Sequence, residues 1–411
     1  MSDYGSDDGA RRRVVITGLG VVSSVGIGSD RFLASLRGGH SGAKPISLFD
    51  TAGFEHSTGC EVTGFEARDF VRRQDPAGLG RAAQFSVAAA RMAVADAGLD
   101  EERLASGRVL VSVGTTDGES RDLDNLVAEE LAGGPAAMDP VVARRVPVAN
   151  LSTAVAREFG LSATEAVTVP TACAAGNYAI GYGLDAIRLG EADMALCGGA
   201  DAMCRKTFAG FYRLGTIAPS TCAPFDVNRK GILTGEGAGI LMLESLDSAR
   251  ARGARVYAEV LGYGLNCDAY HQVAPFEESV ANCMRLALRD AGVKPAEVDF
   301  ISAHGTGTRA NDVTEAGAIR SVFGTPPRTV SMKSMLGHSM GAASALAAVG
   351  CALAISERFI PPTINHVETD PEVDLDCVPN QAVSADLRIV QNNGLAFGGN
   401  NAVVILGRFP A

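Results

Sequence analysis

Arg13-Val14-Val15-Ile16-Thr17-Gly18-Leu19-Gly20 reads as a buried strand running into a glycine turn, and Val256 to Gly264 reads the same way. The recurrence continues outward from both. Val109 to Val113 leads into Gly114-Thr115-Thr116, and Val298 to Ala303 leads into His304-Gly305-Thr306-Gly307-Thr308. A third strand, Ala166 to Val169, passes through Pro170 and Thr171 into a helix beginning near Cys173. Its counterpart, Thr329 to Met332, passes through Leu336-Gly337 into a helix beginning near His338. Each half closes on a strand pair, Met194 to Cys197 with Gly239 to Leu243, and Gly394 to Phe397 with Ala402 to Leu406. Alternating strands and helices imply right-handed βαβ crossovers and mostly parallel sheets covered by helices. The economical α/β architecture for two similar halves is a pair of sheets around shared buried helices. Gly176 to Gly190 and Gly341 to Gly350 suit that central layer, because small side chains let helices approach closely.

A chain of 411 residues is long enough for two such units. Residues 1–12 read as a flexible tail, 13–252 as the first half and 253–411 as the second. The polar, acidic start before Arg11-Arg12-Arg13 lacks the apolar core of a secretory signal, and no apolar run reaches the ~20 residues of a membrane span. The expectation is a cytoplasmic protein outside the membrane. Nine cysteines without CxxC pairs argue against a disulfide framework. A net charge of -11 argues against nucleic-acid binding while leaving room for a local basic patch. A dinucleotide site fails on spacing, since the third glycine of its fingerprint would fall at Ser23.

Chemistry concentrates at strand ends. Cys173 sits where a strand turns into a helix, and unpaired helix amides with the macrodipole favour a thiolate there. The competing reading, a small buried structural cysteine, holds for the other eight. Of six histidines, His304 and His338 stand at strand carboxyl ends, flanked by glycines that permit close approach to a ligand. Two neutral imidazoles donating Nε2–H to one carbonyl oxygen would stabilise the enolate left when a β-carboxylate departs as CO₂. Their spacing, without a neighbouring third ligand, speaks against a metal. Lys333 and Glu315 read either as a charge pair orienting the histidines or as surface charges.

Thr171-Ala172-Cys173, His304-Gly305-Thr306-Gly307-Thr308, Lys333, Gly337-His338 and Phe397-Gly398-Gly399-Asn400-Asn401 together resemble the β-ketoacyl-acyl carrier protein synthases of the thiolase fold. Pro224-Phe225-Asp226, Gly235-Glu236-Gly237-Ala238-Gly239 and Pro361-Pro362-Thr363-Ile364-Asn365 extend the resemblance over essentially the whole chain. It implies duplicated βαβ halves in a five-layered αβαβα sandwich. It also implies a ping-pong reaction in which Cys173 takes an acyl group from acyl carrier protein and malonyl carrier protein loses CO₂ and attacks the thioester. By the same resemblance His304 and His338 assist decarboxylation, Lys333 and Glu315 organise them, the N–H groups of Cys173 and Phe397 form the oxyanion hole, and Phe397 gates entry. No metal or redox cofactor is implied; acyl groups arrive on the carrier's phosphopantetheine. Degradative thiolases lack the His-Gly-Thr-Gly-Thr segment and chalcone-type synthases use Cys-His-Asn. The noncatalytic chain-length or scaffold partner of polyketide synthases lacks the cysteine.

Two departures bear on pathway. Ala396 and Asn400 replace the Gly and Thr of the Gly-Phe-Gly-Gly-Thr-Asn usual in housekeeping fatty-acid elongation enzymes. Ala396 is expected to stiffen the gate by restricting positive φ. This variant is similar to ketosynthases of polyene-making, highly reducing type II polyketide systems. Asp117, in Gly114-Thr115-Thr116-Asp117-Gly118, falls where housekeeping relatives have an apolar residue lining the acyl tunnel near the dimer interface. A carboxylate buried there needs a partner; the alternative is a solvated Asp117. The resemblance implies a dimer, either a homodimer or a heterodimer with a chain-length-factor-like subunit. Arg72, Arg73, Arg205, Lys206 and Arg213 are the candidates for contacting an acidic carrier protein.

Overall fold

The computed structural model describes residues 12–409, so all of the expected tail except Arg12 lies outside the described residues. Ten strands build the framework: β1 (Val14–Ser23), β2 (Val109–Gly114), β3 (Thr164–Val169), β4 (Met194–Asp201), β5 (Gly237–Ser245), β6 (Ala258–Cys267), β7 (Phe300–Ser302), β8 (Arg328–Val330), β9 (Ile389–Leu395) and β10 (Asn400–Gly407). The first five lie side by side in the order β1-β5-β4-β2-β3, and the second five in the order β6-β10-β9-β7-β8. Position for position the two orders are identical. So are the directions: β2 runs parallel to β3 and β4, as β7 does to β8 and β9, and the remaining neighbours are antiparallel. This is the duplication expected from the punctuation of the chain.

The halves meet edge to edge. β1 and β6 pair antiparallel through Val15 with Glu259 and Ile16 with Ala258, so the expected two sheets form one continuous hydrogen-bonded system. Pairing two edges removes rows of open N–H and C=O groups that would otherwise face water. Around the sheets lie α1 (Arg81–Asp96) and α2 (Asn150–Phe159) outside the first half, and α5 (Glu277–Ala291) and α6 (Arg309–Phe323) outside the second. Between the halves run α3 (Ala175–Arg188) and α7 (Ala342–Glu357); α4 (Arg205–Arg213) follows β4 at the surface. The result is the αβαβα sandwich. Every residue of α7 from Ala342 to Ile355 is buried, as a helix apolar there except for Ser344 must be in a central layer. Asn177 on α3 and Asn392 on β9 cross-link the halves, Asn392 Nδ2 donating to Asn177 Oδ1 over 2.8 Å.

One local expectation is corrected. Gly18 and Gly20 make no turn; both lie inside β1. A Cβ on Gly18 would stand 2.1 Å from the carbonyl oxygen of Ala93, and one on Gly20 1.7 Å from that of Ala89. They are glycines because α1 presses its backbone against the strand. Among the described residues no helix is long and apolar enough to cross a membrane.

Candidate active site

β3 ends at Val169, Pro170 stops the ladder, and a 3₁₀ turn over Ala172–Ala174 delivers Cys173 to the start of α3. Ala172 holds φ 50°, a left-handed conformation that a side-chain-bearing residue keeps only under external constraint. The turn therefore presents Cys173 in one orientation. Cys173 is 4% exposed, and this burial pushes the thiol up to about 12. The charge of Lys333 and the N–H of Phe397 pull the other way, while Asp201 and Asp117 add to the rise. The thiolate expected from a helix start is thus outweighed by burial in the resting site.

His304 follows β7 and His338 precedes α7, and their rings meet edge to face with centroids 5.4 Å apart. The N–H of Met340 donates to His338 Nδ1 over 3.2 Å, so the proton of the neutral ring belongs on Nε2. Lys333 Nζ stands 3.4 Å from His304 Nδ1 and donates to the carbonyl oxygen of His304 over 2.6 Å. That ammonium gives His304 the same tautomer. Burial, and then the charge of Lys333, hold both imidazoles well below 6.5. Both rings are uncharged donors.

Glu315, fully buried, accepts the N–H of His304 and the N–H of Gly305, each over 2.8 Å. Asn393 Nδ2 donates to the same carboxylate over 2.9 Å. Lys333 and Glu315 therefore grip His304 from two sides, and no ion pair joins them directly. The lysine itself is held below its ordinary value by burial, against the pull of Glu315.

One cavity of about 190 Å³ brings Cys173, His304, His338 and Phe397 together, with Thr306 and Thr308 on its wall and Phe211, Leu214 and Val273 towards its mouth. The ring of Phe397 leans on Phe211 at 5.3 Å between centroids. Behind it, the N–H of Gly398 donates to the carbonyl of Gln272 over 2.7 Å, and Asn401 Nδ2 to Asp268 over 2.6 Å. Ala396 has φ -138°, extended backbone that any residue adopts, so it excludes no positive φ in this state; what it removes is the freedom of a glycine.

The side chain of Asp117 is 5% exposed and partnered: its Oδ1 accepts from Lys206 Nζ over 2.8 Å and from Thr207 Oγ1 over 2.7 Å. It does not line the cavity that holds Cys173. The same contact occupies Lys206 internally, and Arg205 lies over the ring of Phe54. Arg213 is exposed and adjoins Leu214 at the cavity mouth. Arg72 and Arg73 are not brought there. Their N–H groups bond Glu158 at the end of α2, and the Arg73 guanidinium bonds Glu101, before β2 begins. Both therefore stand near the starts of β2 and β3, one strand length of about 20 Å from the Cys173 end.

Asn393, Ser331 and Asp201 were not singled out from sequence. Ser331 Oγ donates to the carbonyl of Gly305 over 2.6 Å, beneath the His304 loop. Asp201 carried one overlooked signal, a carboxylate closing an otherwise apolar strand. Among the described residues no group of three or more His, Cys, Asp or Glu could hold a metal ion.

Two family models match in tandem, "Beta-ketoacyl synthase, N-terminal domain" over residues 11–249 and "Beta-ketoacyl synthase, C-terminal domain" over residues 257–367. The chain is 35% identical to 3-oxoacyl-acyl-carrier-protein synthase 2 of Staphylococcus aureus (strain COL), covering 97% of this chain and 99% of that protein. It is 39% identical to nodulation protein E of Rhizobium sp. (strain N33), covering 96% and 98%. Among solved structures, "The ishigamide ketosynthase/chain length factor" superposes with TM-score 0.97 at 62% identity, covering 98% of this chain and 100% of that one. A type II PKS acyl-carrier protein in complex with its ketosynthase bound to the hexaketide gives TM-score 0.89 at 31% identity, over 97% and 100%. With the cysteine, the histidine pair and both halves of the fold accounted for, the chain belongs to the β-ketoacyl synthase family.

Proposed function

We propose that this acyltransferase catalyses decarboxylative condensation with Cys173 as acyl carrier, as the ketosynthase subunit of a type II polyketide synthase making a polyene. The observation that carries the reading is that one cavity gathers Cys173 Sγ, two neutral imidazoles and the N–H of Phe397. The first half of the chain, 13–252, supplies the nucleophile, and the second, 253–411, supplies the histidines and gate.

In the first half-reaction Cys173 sulfur bonds the acyl carbonyl carbon, and the carrier's pantetheine sulfur leaves with the thiol proton. Lys333 and the Phe397 N–H favour the transient thiolate. In the second, the bond between C2 of the malonyl group and its carboxylate breaks, and CO₂ departs. The enolate oxygen takes N–H bonds from Nε2 of His304 and of His338, each donor held by a contact on its other nitrogen. C2 then attacks the Cys173 thioester, whose oxygen rests on the N–H groups of Cys173 and Phe397, and the sulfur leaves.

The polyketide assignment, rather than housekeeping fatty-acid elongation, is supported by 62% identity to the ishigamide ketosynthase/chain length factor against 35% to the Staphylococcus aureus synthase. A dimer partner of chain-length-factor type is supported by surface. Leu123, Val127 and Leu131 form an exposed apolar stripe at helical spacing, and β3 is a partly exposed edge strand. Asp117 lies outside the Cys173 cavity, three residues before the helix that bears this stripe, and helps shape the pocket for a rigid chain from the subunit interface. Acyl carrier protein docks at the mouth beside Arg213.

Intact-mass analysis of the protein with its partner subunit, after incubation with acyl and malonyl carrier proteins, tests the assignment. Acyl mass is expected on the wild type and not on Cys173→Ala. Its absence from the wild type would overturn the reading.

A further inference from the structure

Asp201, the last residue of β4, is wholly buried and touches no part of the cavity. Four donors converge on its carboxylate from two places in the fold. Oδ1 accepts Thr115 Oγ1 over 2.6 Å and the N–H of Asp117 over 3.0 Å. Oδ2 accepts the N–H of Thr116 over 2.8 Å and the N–H of Gly341 over 2.6 Å.

The first three donors belong to the turn after β2. The N–H of Thr115 also donates to the carbonyl of Val169 over 3.0 Å, and Val169 ends the strand that leads to Cys173. The fourth donor belongs to the turn that carries His338. Gly341 follows Met340, which holds φ 49° and whose N–H fixes His338 Nδ1. A left-handed methionine costs roughly 1–2 kcal/mol and persists only where its surroundings over-determine it. The grip of Asp201 on the next N–H is one such constraint. The two turns also pack backbone to backbone, for a Cβ on Gly341 would stand 2.5 Å from Thr115 Cα.

We propose that Asp201 is a positioning residue for the condensation: one carboxylate keys the end of the Cys173 strand to the His338 turn, and so sets the histidine's donor relative to the thioester. The inference rests on the roles of Cys173 and His338 proposed above. Its consequence is asymmetric. Without the carboxylate, Met340 relaxes, its N–H leaves Nδ1 and His338 turns. Cys173 keeps its place through the β2–β3 ladder and α3.

The test separates the half-reactions in the full chain with its partner subunit. Asp201→Asn faces an amide N–H towards donors on one side. The expected result is Cys173 acylation within a few-fold of wild type and malonyl-carrier decarboxylation, read as acetyl-carrier by mass, slower by about a hundredfold. Equal loss in both steps, or loss in neither, would overturn the proposal. Should Asp201→Asn not fold, Thr115→Val removes one donor and Thr115→Ser restores it. Decarboxylation should fall several-fold in the first and recover in the second; equal rates in both overturn the proposal. A wild type that is never acylated at Cys173 defeats the underlying function instead, whatever the variants do.

Discussion

The N–H of Met340 donates to Nδ1 of His338, and that contact decides which ring nitrogen carries the proton offered to the cavity. The ring acts through Nε2–H alone. His338→Ala should slow malonyl decarboxylation by about 10²–10³, the usual effect of losing one donor at a developing oxyanion. His338→Gln, whose amide N–H reaches the place of Nε2, should recover part of that loss. Acetyl-carrier formation measured by mass checks both; equal rates for Ala and Gln would show that the donor is not the ring's contribution.

Lys333 serves the nucleophile as well as His304. Its charge opposes the rise that burial imposes on the Cys173 thiol, so Lys333→Met should move the pH profile of Cys173 alkylation by iodoacetamide upward. Cys267, the exposed cysteine among those described, provides the reference in the same digest. A Cys173 profile that does not move relative to Cys267 would remove Lys333 from the activation of the thiol.

The histidines and the cysteine were legible as candidates because each stands at a strand end marked by glycine or proline, and glycine's conformations leave a trace in sequence; for Lys333 the spacing left a surface charge equally open. The duplication was legible because both halves repeat one punctuation; the strand order was not, and antiparallel neighbours outnumber parallel ones where mostly parallel sheets were expected. What sequence could not supply was competition between effects. A helix start says thiolate at Cys173, but only packing reveals a burial large enough to reverse it. Gly18 and Gly20 signal close approach or a turn equally well until α1 is seen lying on them. Arg72 and Arg205 are alike as exposed cations in the sequence, and only the path of the chain puts one of them far from the mouth.

Ala396 gives the gate a measurable signature. Its extended backbone suits glycine equally, so Ala396→Gly relieves no strain and adds only unfolded-state entropy, costing about 0.4–1 kcal/mol. Hydrogen exchange at Gly398 and Gly399 should quicken, because their N–H groups close the loop onto Gln272 and Ala396. Unchanged exchange would place the stiffness of the gate elsewhere.

Asp117→Leu removes the acceptor of Lys206 and Thr207 while ending the repulsion between the two carboxylates Asp117 and Asp201. Lys206 is half exposed and returns to water, so the paired charge contributes at most about 1 kcal/mol. The expected change is in product length, read by mass against wild type with the same partner subunit. An unchanged product distribution would remove Asp117 from the acyl pocket.

The histidine pair also sets how stability depends on pH. In the unfolded chain each imidazole takes a proton near 6.5, whereas burial and Lys333 hold both well below that in the folded one. As pH falls below 6.5, the unfolded state therefore binds more protons at these residues, and their contribution to stability is lost. Glu119 and Asp201, each pushed up to about 7 by burial, act with the opposite sign over part of the same range, so the total slope does not isolate the pair. The difference between two proteins does. Replacing one ring, in His338→Asn, should flatten the dependence by up to about 1.4 kcal/mol per pH unit between the native value and 6.5. Urea unfolding of wild type and variant from about pH 7.5 to about pH 5.5 measures this directly. Equal slopes would mean that His338 takes up its proton in the folded site, and that the donor in the cavity is a charged imidazolium rather than the neutral ring fixed by Met340.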